Sequence, residues 1–232
     1  MHRVAEAIAE RLRGVPSRDV PARLCGLAVE LLPVVGASVS LCGWGLPLRV
    51  GASDAAAAGL AETQATLGDG PCVSAVHHIA PVLARDLTAG RDARRWPVFA
   101  QQATAAGVRA AYSIPLGSGT VCLGTLDLYG AEPGELFDAD LRTARLLAAT
   151  VTLALVALPR APEGTGPRTA WLNGLAADHD EIPQAVGMIM AQLRVPPDEA
   201  LDLLRAHAFA CGRTALEVAH DMVRRRTCLD RV

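Results

Sequence analysis

Arg205, His207, Arg213 and Thr214 fall within "LRAHAFACGRTALEVAHDMVRRR", which reads as two short helices hinged at Gly212 and ending in three consecutive arginines. A helix corner of this kind offers backbone N–H groups beside guanidinium charge, the chemistry that holds phosphate. Between positions 205 and 226, five arginines (205, 213, 224, 225, 226) stand against Glu217 and Asp221, a local charge of +3 in a chain of net charge −2. That excess permits nucleic-acid binding without requiring it, since terminal arginines also complement a helix dipole at a solvated end. All 22 basic residues are arginine and none is lysine, a bias we attribute to base composition.

The other reactive side chains form no catalytic grouping. Cysteines stand at 25, 42, 72, 122, 211 and 228, with neither a CxxC nor a zinc-finger spacing. Their expected role is that of small apolar core residues. His77 and His78 are adjacent on a helix and point in different directions, so they cannot clamp a metal as an i, i+4 pair would. The chain carries no P-loop, no HExxH and no local Ser/His/Asp signature, and we expect neither an enzyme nor a metal site.

Elements that position these residues follow from periodicity. "PRAPEGTGPR" (159–168) is a proline- and glycine-rich linker, which divides the chain into residues 1–158 and 169–232. In the first half "DVPARLCGLAVELLP" has helical spacing, while "GASVSLCGWG" alternates as a strand with "LRVGAS" as its partner. Asp54 and Gly68 bracket a helix, "APVLARDL" is extended, and Pro97 interrupts the helix of "DARRWPVFAQQATAAG". "RAAYSIPLG" and "TVCLGTLDLYG" form a hairpin, and a helix over 138–158 closes the half. Antiparallel strands flanked by helices make this an α+β domain. The second half is all helix: an apolar stripe of Ile182, Val186, Ile189, Met190 and Leu193, a helix opening at Pro197, and a third in which Thr214 and Glu217 have capping-box spacing. The opening "MHRVAEAIAERLRG" is too charged for a secretory signal, and no apolar run reaches the roughly 20 residues of a bilayer span, so a cytoplasmic protein is expected.

Two resemblances are specific. "LGDGPCVSAV", "APVLARDL", "RRWPVFAQQATAAGVRAAYSIPL" and "LGTLDLY" are similar to a GAF domain of actinobacterial-type regulators. "QAVGMIMAQLRVPPDEALDLLRAHAFACGRTALEVAHDMV" resembles an ANTAR domain, a three-helix RNA-binding module of transcription antitermination regulators. The resemblance implies a six-stranded antiparallel GAF sheet with a ligand pocket on one face, and an ANTAR domain that binds paired RNA hairpins as a homodimer. Hairpin loops expose unpaired bases that side chains can read, whereas the deep groove of an A-form stem is closed to them. The motif's small positions are Ala185, Gly187, Ala200, Ala208 and Ala219, where helices are expected to approach closely. The polar positions expected to face RNA are Gln184, Arg205, His207, Arg213 and Thr214, although capping alone would explain Thr214. Pro196 stands where the family's second helix has a serine-type cap, so one capping bond is lost.

For the GAF half, the expected pocket rim is Asp69, Cys72, Arg85, Asp86, Trp96, Phe99 and Tyr112, drawn from the loops and helix that cover such sheets. Trp44, Trp96 and Phe99 equally fit core or dimer contacts. A lysine-free chain cannot assemble the Asn-Lys-Phe-Asp-Glu set of cyclic-nucleotide GAF domains, and 3% aromatic residues argue against a tetrapyrrole; no cofactor is expected, and a small-molecule ligand stays open. The competing function is a DNA-binding helix-turn-helix regulator, supported by the spacing of Ala208, Gly212 and Val218. Against it, the third helix offers Glu217, His220 and Asp221 where a DNA reader presents arginine, asparagine or glutamine. A signal received by the first half is expected to act on the helices over 138–158 and 169–194, and so on the RNA-binding corners.

Overall fold

The computed structural model describes residues 2–16, 19–118, 121–156 and 181–225. Its strands β1 (Gly36–Gly43), β2 (Leu46–Ala52), β3 (Val82–Ala84), β4 (Ala110–Ser118) and β5 (Val121–Gly130) form one antiparallel sheet in the order β2-β1-β5-β4-β3. Among the described residues five strands stand in place of the six expected, because the chain between β2 and β4 is spent largely on helices. The helices of this half are α1 (His2–Arg11), α2 (Val20–Leu31), α3 (Ala55–Leu67), α4 (Pro71–His78), α5 (Gly90–Arg95), α6 (Pro97–Ala105) and α7 (Asp138–Val156). Helices α8 (Glu181–Leu193), α9 (Pro197–Ala210) and α10 (Ala215–Arg225) follow. The linker at 159–168 lies outside the described residues, as does the part of the 169–194 helix before Glu181.

Local chemistry explains the boundaries. Asp54 caps α3 by accepting the Ala57 N–H at 2.9 Å, and Gly68 ends it at φ +63°. Pro97 separates α5 from α6 and opens the latter, where its missing N–H is harmless. Trp44 and Gly45 form the two-residue turn between β1 and β2 with φ values of +53° and +77°. Positive φ at both centres matches strand twist but strains a tryptophan. Trp44 is 55% exposed, so it belongs to no core.

Alternation along the strands assigns the two faces of the sheet. Ala37, Val39 and Leu41 of β1, with Tyr112 and Ile114 of β4 and Leu126 and Leu128 of β5, pack under α2 and α7. The opposite face carries Ala111 and Tyr129 beneath α3 and α6, together with Trp96 and Phe99. The third cluster belongs to α8–α10 and includes Leu46 and Leu48 of edge strand β2, so the helical domain shares its core with the sheet domain. Only part of the cysteine expectation holds: Cys25 and Cys72 are buried, Cys42 and Cys122 are half-buried, Cys211 is exposed, and Cys228 lies outside the described residues.

Candidate nucleic-acid interface and buried polar cluster

The C-terminal corner is built by helix-end chemistry. Thr214 N–H donates to the Glu217 carboxylate at 2.9 Å, and Glu217 N–H donates to Thr214 Oγ1 at 3.1 Å, a complete capping box. Gly212, at φ +63°, makes the turn from α9. Ala185, Ala200, Ala208 and Ala219 are buried where α8, α9 and α10 meet. Gly187 departs from that expectation: it is exposed and a Cβ there would meet nothing within 4 Å, because it faces away from the helix contacts. Pro196 precedes α9 without a side-chain capping bond, as its ring dictates.

The residues expected to face RNA do not form one surface. Gln184 is exposed on α8, and His207 is half-buried with Nε2 3.6 Å from Cys211 Sγ. Arg213 is exposed but tied down, donating to Asp221 Oδ2 at 2.8 Å and to the Glu217 carbonyl at 3.1 Å. Arg224 pairs with Glu181 at 3.1 Å, so described carboxylates absorb part of the basic excess. Arg205 is turned away from solvent, with its side chain 18% exposed. Its guanidinium donates to the Gly45 carbonyl at 3.0 Å, to the Ala65 carbonyl at 3.4 Å and to Asp202 at 3.3 Å. Arg205 is therefore a docking residue that holds α9 against α3 and the β1–β2 turn. Sequence spacing could not reveal this, because its partners lie 140 and 160 positions away.

The helix N-terminus expected to attract phosphate is occupied as well. Ala215 N–H donates to Thr66 Oγ1 of α3 at 2.9 Å across a buried contact, and the Glu217 carboxylate fills the next position. A crevice of about 310 Å³ between the halves is lined by Thr63, Thr66, Gln102, Phe209, Arg213 and Thr214, among others. The hinge thus faces the sheet domain.

In the sheet domain the expected rim is dispersed. Trp96 and Phe99 are core residues under α3, and Tyr112 lies on the opposite face, donating its hydroxyl to the Gly134 carbonyl at 2.9 Å. Arg85 pairs with Glu135, Asp86 accepts from Thr88 N–H at 2.8 Å, and exposed Asp69 accepts from Gly70 N–H at 2.9 Å. Of the seven, Cys72 alone borders the polar interior that the structure does contain. Its N–H donates to Gln64 Oε1 at 2.9 Å.

That interior comprises Ser38, Ser40, Gln64, Ser113, Thr125 and Asp127, all buried. Cross-strand pairing sets Asp127 between Ser38 and Ser113. Its Oδ2 accepts from Thr125 Oγ1 at 3.0 Å, and Ser38 Oγ lies 3.0 Å from the Tyr129 hydroxyl. Ser40 Oγ, Gln64 Nε2 and Asp127 Oδ1 have no hydrogen-bond partner within the protein, an unusual concentration of unmet polarity. Burial pushes the Asp127 carboxyl up to about 7, against the opposing effect of the Ser113 and Thr125 hydroxyls. Such a cluster of buried, partly unpaired polar groups is where a small polar ligand would find hydrogen-bonding partners. Serines and a threonine alternating with apolar residues in β1, β4 and β5 were the available signal, but alternation also describes a solvated face.

No curated protein matches the chain. The GAF domain of a phosphoenolpyruvate-protein phosphotransferase from Coxiella burnetii is 15% identical, with a TM-score of 0.52 over 66% of this chain and 91% of that one. The corresponding domain from Acinetobacter is 11% identical, with a TM-score of 0.51 over 66% and 90%. These likenesses concern the fold. A GAF domain model matches residues 21–156, more than half of the chain, and an ANTAR domain model matches residues 172–223. The chain belongs to the GAF domain family and couples that domain to an ANTAR domain, a GAF–ANTAR architecture of signal sensing and regulation.

Proposed function

We propose that this chain is a cytoplasmic transcription antitermination regulator, not an enzyme, that binds paired RNA hairpins as a homodimer under control of its GAF half. The observation that carries the reading is the ANTAR match over residues 172–223. Gln184, His207 and Arg213 are the candidate RNA contacts, while Arg205 and Thr214 serve docking and capping. In the docked form the inner side of the hinge faces α3, so separation of the two halves would widen the surface open to RNA. The buried polar cluster around Asp127 is the candidate receiver of a small-molecule signal. No helix among the described residues is long and apolar enough to cross a membrane.

The test is binding of the full chain to tandem stem-loop RNA at low ionic strength, with duplex DNA of equal length as competitor. RNA is expected to win, and Arg213→Ala to weaken binding by about tenfold through one lost charged contact. Preference for the duplex, or indifference to Arg213→Ala, would refute the assignment.

A further inference from the structure

Cys42 and Cys122 stand on adjacent antiparallel strands, and a bulge turns both side chains to one face of the sheet. Strand β1 is in register with β5 down to Leu41 opposite Gly124. On β4, Leu116 faces Gly124 but the next residue, Gly117, faces Cys122, so Leu123 is an extra residue of β5. Without it Cys42 would oppose Leu123, and the two sulfurs would lie on opposite faces of the sheet. With it the Cys122 side chain turns to the face of the sheet that carries Cys42. The strands are also close at this point: a Cβ added to Gly124 would lie 1.9 Å from Ser40 O.

The two thiols are near enough to interact, and the Cys122 S–H donates to the Gly124 carbonyl at 3.3 Å. The interaction with Cys42 lowers the Cys122 thiol to about 7 and raises that of Cys42, which burial raises further. Both are half-buried, and Cys42 lines a cavity of about 390 Å³ with Trp44, Gly45, Val73, Val76 and Arg205. Cys25 and Cys72 differ, since burial pushes both thiols up. One accessible thiolate beside a second thiol is the arrangement of an oxidisable pair.

We propose that Cys42 and Cys122 form an oxidation site for hydroperoxides, and that the resulting disulfide loosens the docked ANTAR domain. The Cys122 thiolate attacks one oxygen of hydrogen peroxide, the O–O bond breaks, and hydroxide leaves and takes up a proton. The Cys42 sulfur then displaces water from the sulfenic acid. Two thiols and one peroxide become one disulfide and two waters, with two electrons passing from sulfur to oxygen. Opposed residues of antiparallel strands have Cα separations of about 4.5–5.5 Å, within the range a disulfide spans. Closure draws the sulfurs together to about 2.05 Å.

The strain arises three residues from the docking contact. Cys42 precedes Gly43, Trp44 and Gly45, and Gly45 carries the carbonyl that accepts from Arg205 at 3.0 Å. A Cβ on Gly45 would lie 3.2 Å from Leu201 Cδ2, and Trp44 already holds a positive φ. A turn so tightly fitted has little room to absorb a shift of β1. The consequence for RNA rests on the function proposed above; the disulfide and the loosening do not.

The full chain is treated with hydrogen peroxide, alkylated, digested and weighed. A Cys42–Cys122 cross-link is expected, reversed by dithiothreitol and absent from Cys42→Ser and Cys122→Ser. Amide hydrogen exchange over 205–215 is expected to accelerate about tenfold in the oxidised chain and to recover on reduction, a readout that needs only wild-type protein. A link to any other cysteine, no link, or a link that leaves exchange unchanged would overturn the proposal. RNA binding by the two forms is measured in parallel: failure of both to bind counts against antitermination, and the cross-link and exchange results still decide the switch.

Discussion

Thr214 and Asp127 show how a single residue is read differently alone and in the fold. Thr214 is explained by its reciprocal bonds with Glu217, so Thr214→Ala should cost about 1 kcal/mol, measured by urea unfolding. Asp127 has a folded value raised from 3.8 to about 7 by burial. Between those values the folded state keeps a proton that the unfolded state releases. Its stabilising contribution is therefore complete below about 3.8 and is lost as pH rises through about 7. Asp127→Asn should leave stability unchanged at low pH and raise it above pH 7 by on the order of 1 kcal/mol or more, since an amide needs no ionised state. Equal stability of the two chains in urea at every pH would exclude a buried, protonated carboxyl.

At the scale of elements, the end of α3 does two jobs. Gly68 terminates the helix at φ +63°, and a Cβ there would lie 2.9 Å from Arg205 Cζ. Gly68→Ala should thus cost about 1 kcal/mol in backbone strain and displace the guanidinium from the Gly45 carbonyl. Faster amide exchange in α9, with no loss of its charge, is the expected signature. The bulge at Leu123 works similarly: a single extra residue decides which side chain of β5 meets Cys42. Helix ends, the hinge and the β1–β2 hairpin were legible because caps, glycines and alternation are local signals. The bulge was not, since one extra residue leaves the pattern of "TVCLGTLDLYG" plausible in either register.

For the whole molecule, the docked hinge is the feature with the largest functional reach. Thr66→Ala removes the acceptor of the Ala215 N–H and leaves a buried donor unpaired, at a cost of about 1–3 kcal/mol. Part of that cost disappears if the halves separate. The variant should therefore bind tandem stem-loop RNA more tightly than wild type, by about tenfold, in a titration at fixed salt. Equal affinity would mean that docking does not restrain the RNA-binding corner. Leu46 and Leu48 join the core of α8–α10, so truncation to the ANTAR domain also exposes apolar surface and is a poorer probe of coupling than a point variant.

The sequence by itself determined the two domains, their order, the helix ends and the hinge, because periodicity and capping act over a few residues. The resemblance it carries determined the GAF–ANTAR architecture. Which way Arg205 points, that Thr66 covers the start of α10, that Ser38, Ser40, Gln64, Ser113 and Asp127 close around one polar interior, and that Cys42 meets Cys122 were decided only in three dimensions. Each of those contacts joins distant positions, and a long side chain or a buried hydroxyl chooses its partner by what the folded neighbours leave unsatisfied.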